Sequence, residues 1–583
     1  MIFPWREFRE AGVRGFLLGA ILYGVPLSFL HVLGNEGVSA GGAVATLVAF
    51  VAIYGSGSGA ATLGAAVVLS LARVGTARAT LLGFGAFNVL FWSVGLTYGL
   101  TYDEVPRAAA DSLGSMIAYL AARAGAVAIL AAVVSCLVAR VRVTWVRAAA
   151  VLAAAVAAHA GVGLARGESR AVAATRPDFR VRDTGVDVIA IGIDGADFRI
   201  LDPLLAKGLL PNVAALEERG AFGPLATLPD SNSAVIWASI YTGNTPERHG
   251  VHDFFSVILP GVRSPGLFPV HRTYFKEIAG ALEPLGLARR RTLDRSSLAA
   301  PPIWEIVDGA GLASGVVDGY FFSYPAPEPR TKDGFVLSYG IDGFVEKARG
   351  TAAFRKIGDY ARPVEVFADV EEALDGPDFA WQTEALLKLL ATRPRPRFSN
   401  LYAHEPDAVL HRYFRYHEPK YFPFVDAEGI EKHGSKIVDF HLALDAFLGR
   451  LEAAIDENTV IAVLSDHGHS PTIVHAMDTQ HRHGPPGVLF LAGGPIRTGG
   501  VVLEGAHVYD VFPTILHLLG LPVPEDVTGR VLTEAIEPSF LARFPVERVA
   551  SLDALGAPVG AAHRSAESEA EELEKLRALG YIR

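Results

Sequence analysis

The first 165 residues are rich in Ala, Val, Leu and Gly and gather their few charges into short breaks, while most of the charge of the chain lies beyond them. A hydrocarbon core takes about 20 apolar residues per helical crossing. Five runs reach that length, at about 15–33, 40–72, 79–100, 114–138 and 146–165. The first is too long, and too closely followed by the others, to be only a cleaved leader, so it reads as an anchor that stays. The chain therefore divides into a membrane region, 1–165, and a soluble region joined by a polar linker, 166–185.

Short cytoplasmic loops collect Arg and Lys. Arg6, Arg9 and Arg14 precede the first run, Arg73 and Arg78 follow the second, and Arg140, Arg142 and Arg147 separate the fourth from the fifth. The alternate loops carry Glu36, and then Asp103, Glu104 and Asp111 against Arg107. Five crossings satisfy this alternation and six do not, so the GSGSG at 55–59 is expected inside one crossing. The N-terminus is then cytoplasmic, and the soluble region lies outside a bacterial-type inner or plasma membrane. The fifth run, alanine-rich and carrying His159, decides that side. Arg123, near the outer end of the fourth run, is expected to snorkel to the interface.

The single cysteine, Cys136, falls in the fourth run, so the soluble region has neither a disulfide nor a thiolate metal ligand. Its metal sites, if any, are built from His and carboxylates. A net charge of −10 argues against nucleic-acid binding, which favours a basic surface. Neither substrate identity nor oligomeric state is written in the sequence.

VDVIAIGID at 186–194 is an almost continuous apolar, β-branched run, the pattern of a central parallel strand covered on both faces. GLASGVVD, FSNLYAH, TVIAVLSD and GVLFLAG repeat it, and helical patterns at 435–455 and 508–520 alternate with them. The expected fold is an α/β sandwich on a mostly parallel sheet, spanning about 186–545, with insertions at about 255–300 and 325–397 and a tail at 546–583 that holds a surface helix. In such sheets ligands bind beyond the carboxyl ends of the strands. Asp194 ends one strand and Asp466 and His467 end another, so they are expected on one edge.

Around that edge the chain supplies further groups in order: Ser233 in SNSAV ahead of TGNTPERHG, Asp407 and His411 in EPDAVLH, and QHRHGPPG. Each has a plain structural reading. A strand-end Asp can make an Asx turn, an i,i+4 Asp/His pair can be a solvated helix face, DHG can be a polar loop, and Ser233 has Ser231 and Ser239 as neighbours. Their joint order favours a site. Oxygen and imidazole donors without thiolate suit Zn²⁺, with Mn²⁺ as the other choice.

The ordered set resembles the alkaline phosphatase superfamily, in its type I phosphodiesterase/nucleotide pyrophosphatase branch, over roughly residues 186–530; IWEIVDGAGLASGVVDGYFFSYPAP resembles a second block of the same family. The resemblance implies an alkaline-phosphatase-like α/β/α sandwich with two divalent cations. One would be held by Asp194, Asp466, His467 and the hydroxyl of Ser233, the other by Asp407, His411 and a third histidine. Spacing to Gly487 in the family pattern favours His483 over His481 as that third ligand. Ser233 would be the nucleophile of a phosphate mono- or diester hydrolase working through a phosphoseryl intermediate. Nucleotide-cleaving relatives place an asparagine shortly after the HG, where this chain has Asp253 and Phe254. Nucleotide specificity is thereby in question, and Asn232, Asp253 and His249 are the expected pocket residues. The layout of spans followed by an outward domain also resembles enzymes that move phospho-groups onto lipids or envelope glycans, so phosphotransfer is the alternative. A third reading makes the soluble region a non-catalytic accessory of the membrane part. SNSAV lacks the C/S-x-P-x-R nucleophile motif of sulfatases.

Overall fold

The computed structural model describes residues 5–34, 40–70, 80, 82–88, 145–166, 176–228, 232–258, 289–323, 334–337, 378–391, 394–422, 425–471, 478–481 and 484–557, with isolated residues between. They form two compact units, one of residues 1–172 with 255–291, the other of 173–254 with 292–583.

In the first unit, α1 (Trp5–Gly19) passes through one π-helical turn, Ala20–Gly24, into α2 (Val25–Gly34), followed by α3 (Ala40–Ser70) and α4 (Trp145–Arg166). Three stretches are long and apolar enough to cross a membrane: Phe8–Phe29, Ala40–Leu69 and Val146–Leu164. They correspond to the first, second and fifth expected runs; of the third only residues 80 and 82–88 are described, and the fourth lies almost wholly outside the described residues. GSGSG does not break α3. Its glycines form a packing seam, with Gly55 against the ring of Phe16 and Gly59 against the backbone of Gly12, while a Cβ at Gly15 would collide with Thr62. Small residues of this kind let apolar helices approach closely where the hydrophobic effect offers no drive. His159 is buried and satisfied, with Nε2 3.0 Å from Ser28 Oγ and Nδ1 2.7 Å from the carbonyl of Ala155.

The second unit is built on an eight-stranded sheet: β1 (Asp187–Ile193), β2 (Gly220–Leu225), β3 (Ser314–Val317), β4 (Phe335–Leu337), β5 (Phe398–Ala403), β6 (Thr459–Leu464), β7 (Gly487–Ala492) and β8 (Val501–Val502), in the order β8-β2-β7-β6-β1-β5-β3-β4. Neighbours are parallel except where β7 runs against β2 and β6. All five apolar runs read from the sequence are strands. β2, GAFGPL, has no such signature, and its glycines serve close approach, since a Cβ at Gly220 or Gly223 would strike the carbonyl of Leu491 or Leu503.

Side chains alternate across a strand. Ile189, Ile191 and Ile193 join the main core with Leu386 and Leu389 of α6 (Asp378–Ala391), Leu410 and Phe414 of α7 (Glu405–His417), and Leu444, Leu448 and Leu451 of α8 (Lys436–Ala454). Gly192 faces the other way, where a Cβ would lie 2.5 Å from the ring of Trp237 in α5 (Ser233–Thr242). Helices thus cover both faces. β5, β1 and β6 are adjacent and parallel, in register at Ile193↔Ala403 and Gly192↔Leu464. Their carboxyl ends therefore open side by side at one edge.

Candidate metal centre and nucleophile

Each of those three strands delivers acidic or imidazole groups within a few residues of its end: Asp194 after β1, Asp466 and His467 after β6, and Asp407 with His411 on the first turns of α7 after β5. All five side chains are buried. Ser465 ties two of the strand ends together, its Oγ accepting from the backbone N–H of Ala196 and donating to the carbonyl of His467.

Ser233 is the first residue of α5, and Asn232 caps the helix, its Oδ1 accepting from the N–H of Val235. The helix dipole therefore points its positive end at the hydroxyl. Ser233 Oγ lies 2.9 Å from His467 Nε2 and 3.4 Å from Asp194 Oδ1. From His467 Nε2 it is 3.4 Å to Asp194 Oδ1 and 3.3 Å to Asp466 Oδ2, the latter buried without a hydrogen bond. The second oxygen of Asp194 is turned away, held by the Tyr402 hydroxyl at 2.6 Å and Trp237 Nε1 at 3.1 Å. Because Gly192 has no side chain, the Trp237 ring can lie across β1 and make that contact.

Beside this cluster stands a second, around Asp407. Its Oδ1 is 3.3 Å from His411 Nε2 and 3.0 Å from His469 Nε2. His481 joins Asp407 and His467 in a group whose donor atoms all lie within 4.8 Å, as do those of Asp407, His411 and His469 and of Asp194, Asp466 and His467. The rings of His467 and His481 stack at 4.5 Å. Of the two alternatives for the third histidine, the structure brings His481 into the cluster; His483 lies outside the described residues. The sequence reading passed over His469, although DHGH puts it two residues past His467; a histidine at that spacing on a strand-end loop was the available signal.

The carboxylates divide in their protonation. Burial, and then repulsion from Asp407, pushes Asp194 well above the usual carboxylate range, and burial with repulsion from Asp194 and Asp407 does the same to Asp466. Burial also acts to raise Asp407, but His411 and His469 outweigh it and hold that acid well below the range. Burial lowers the imidazoles, His467 to about 3 and His469 and His481 also below their ordinary value. They are therefore neutral at pH 7, with lone pairs to offer. A cation placed among these buried oxygens and imidazoles would hold Asp194 and Asp466 ionised against the cost of burial.

The spacing fits such a cation. A tetrahedral edge is about 1.63 times the bond length, so zinc–ligand distances of about 2.0–2.1 Å place donors about 3.3–3.4 Å apart. The separations measured around His467 and Asp407 fall at or near that value.

The expected pocket residues behave differently. Asn232 Nδ2 donates to Asp253 Oδ1 at 2.9 Å, and that oxygen also accepts from the N–H of Phe254, so Asp253 braces the cap residue next to Ser233. His249 is fully buried, with Nε2 3.0 Å from Ser239 Oγ and Nδ1 accepting from Val251 N–H. It fastens the TGNTPERHG loop under α5.

A profile of the type I phosphodiesterase / nucleotide pyrophosphatase family matches residues 188–503. A 2,3-bisphosphoglycerate-independent phosphoglycerate mutase of Cereibacter sphaeroides is 38% identical over 97 residues, which cover 16% of this chain and 18% of that protein. Among solved structures, murine ectonucleotide pyrophosphatase / phosphodiesterase 5 aligns with a TM-score of 0.39 and 14% identity, over 60% of this chain and 100% of its own. The phosphonate monoester hydrolase of Silicibacter pomeroyi aligns at 0.35 and 18%, over 60% and 76%.

Proposed function

Because the chain belongs to the type I phosphodiesterase / nucleotide pyrophosphatase family, whose profile spans more than half of it, we propose that it is a membrane-anchored two-metal phosphoesterase with Ser233 as its nucleophile. The observation that carries this reading is the position of Ser233 Oγ, at the N-terminus of α5 and 2.9 Å from His467 Nε2, inside a group of donors spaced for one cation. Asp194, Asp466, His467 and Ser233 would hold one cation; Asp407 and His411 would hold the other with a third histidine, His469 being the one whose donor atom groups with theirs. Bound divalent cations, Zn²⁺ by donor type, lower the proton affinity of a coordinated hydroxyl and offset phosphoryl charge.

The protein supplies the rest. Tyr402 and Trp237 fix Asp194 so that one oxygen alone faces Ser233. Ser233 Oγ attacks phosphorus, a bond from Oγ to phosphorus forms and the ester oxygen leaves with its electron pair. The helix N-terminus faces the phosphoryl oxygens, and Asn232, held by Asp253, flanks them. Water then cleaves the phosphoseryl bond and returns the hydroxyl. If an acceptor hydroxyl takes the place of water, the same residues perform phosphotransfer; the mutase likeness is the observation that keeps that reading.

The test is a rapid acid quench of the zinc-loaded full-length chain turning over bis(p-nitrophenyl) phosphate. Peptide mass analysis is expected to find the phospho-adduct on Ser233. An adduct on Ser231, or none during a measured burst, would sink the assignment; adding glycerol and analysing products separates hydrolysis from transfer.

Membrane anchoring rests on the three apolar helices, and the outward domain on the alternating loop charges. With Cys136 replaced, a cysteine introduced at Ser169 is expected to react with an impermeant maleimide in intact cells, and one at Ser135 to stay unlabelled. Labelling at 169 only after lysis would place the catalytic domain in the cytoplasm.

A further inference from the structure

One face of α4 is buried, at Ala148, Ala155, His159 and Gly163, positions that recur at helical spacing on a single side. Its bulky apolar residues lie elsewhere on the helix. Val146 is 79% exposed and Leu164 74%, and Val151 and Val156 are exposed as well. Only 22% of this span is buried within the protein, against 39% for each of the other two. The helix thus turns its bulk outward and presents small residues and one imidazole to its neighbours.

That imidazole is aimed. Nδ1 of His159 lies 2.7 Å from the carbonyl of Ala155, one turn back; a carbonyl only accepts, so Nδ1 carries a hydrogen and Nε2 is left to face α2. There Ser28 Oγ stands 3.0 Å away, although the two residues are 131 apart in the chain, and both side chains are fully buried. The hydroxyl is itself placed by its own helix, 2.8 Å from the carbonyl of Val25. The ring of Phe29 meets the imidazole edge to face at 5.3 Å, and Val162 packs against Val32 of α2 and Ala43 of α3. Lipid tails are as apolar as the helices, so burial of apolar surface gives α4 no drive toward its neighbours. An imidazole turned to hydrocarbon without a partner is costly. The hydrogen bond to Ser28 removes that cost only while α4 lies against α2 with this face inward.

We infer that the Ser28–His159 hydrogen bond is a lock between the first and last of these helices, which seats the alanine-rich span across the membrane and fixes its rotation. The inference rests on the reading of the apolar helices as membrane spans. The side of the membrane on which the soluble region lies then depends on one hydroxyl in the first span.

The experiment uses the full-length chain with Cys136 replaced, in two parent forms. One carries Ser169→Cys for an impermeant maleimide; the other carries Val32→Cys and Val162→Cys for a short permeant bifunctional thiol reagent, whose rate of cross-linking reports how closely α2 and α4 pack. Ser28→Ala is expected to slow cross-linking by about 3- to 20-fold, the range of interhelical hydrogen bonds in membranes, and to lower the share of position 169 labelled in intact cells. Ser28→Thr, which keeps the hydroxyl, is expected to match the parents. His159→Leu removes the polar ring, so adding Ser28→Ala to it should change neither reading. Should Ser28→Ala fail to accumulate, its recovery by His159→Leu is the expected result, and absence of that recovery would overturn the inference. Parental cross-linking and labelling in Ser28→Ala would also overturn it, while leaving the outward topology standing. In the Ser169→Cys parent itself, labelling only after lysis would overturn the outward reading and this inference together.

Discussion

The two donor clusters at the end of the sheet are built by different means. The one at Ser233 is rich in carboxylate: Asp194 and Asp466 stand on loops directly after adjacent strands, and Tyr402, Trp237 and the N–H of Gly195 hold their outer oxygens. The one at Asp407 is rich in imidazole, with one carboxylate on a helix and histidines from that helix and from two loops. Burial is common to both, so the opposite proton affinities of their aspartates come from the neighbours. A carboxylate beside other carboxylates rises, and one among imidazoles falls.

The comparison breaks most visibly at Ser233. Ser233→Ala is expected to reduce phosphodiesterase turnover on the order of 10⁴-fold or more, while both cations stay bound. Loss of a cation together with activity would mean that the hydroxyl is mainly a ligand.

Next in size is the carboxylate that pins its neighbour. Tyr402→Phe removes the 2.6 Å hydrogen bond to Asp194 and is expected to weaken the cation at the Ser233 cluster by about 10–100-fold. The cation at Asp407 should be unaffected, which chelator competition would show.

The metal-free protein offers a sharper contrast, because the two aspartates are expected to respond with opposite signs. The folded pKa of Asp466 is raised, so ionisation opposes folding once the pH exceeds the ordinary carboxylate value near 3.8. Asp466→Asn should therefore melt higher than wild type in chelator, by a margin that grows as pH rises from about 4 to 8. The folded pKa of Asp407 is depressed, so its contribution to stability is present above the ordinary carboxylate range and fades as pH falls through the folded value. Asp407→Asn should melt lower than wild type at pH 8, and the deficit should shrink in acid. With cations bound, both variants are expected to be destabilised. Melting curves at several pH values with and without chelator give all four signs; equal signs without metal would remove the electrostatic distinction.

The smallest effect is expected at the cap. Asn232→Ala removes the acceptor for Val235 N–H and the partner of Asp253, and should lower stability by about 1 kcal/mol. A rise in KM for the diester beyond what the lost stability explains would add substrate contact to its role.

Several parts of this architecture are legible along the chain because their signals are local. Five continuous apolar runs are five strands, and 435–455 is a helix from Lys436 to Ala454. Asp407 and His411, four apart, share a buried face of α7. Asp194, Asp466 and His467 meet at one edge because parallel strands share a carboxyl end, a rule that needs only the strand assignment. GSGSG lies within one helix, as the loop charges required.

Other features depend on which residues meet across long stretches of chain. Tyr402 and Trp237 converge on Asp194 from 208 and 43 residues away. β7 runs antiparallel between β2 and β6, a pairing that GVLFLAG cannot announce, since an apolar run carries no direction. His483, favoured by spacing to Gly487, lies outside the described residues; among the described ones, His481 comes to Asp407 and His467, and His469 turns toward the same carboxylate. Residue types and periodicity thus determined five of the eight described strands, the edge and most of the donors. Tertiary structure decided which described histidines meet Asp407 and which groups hold the first cluster in place, because a loop side chain takes its aim from the nonlocal hydrogen bonds and close contacts around it.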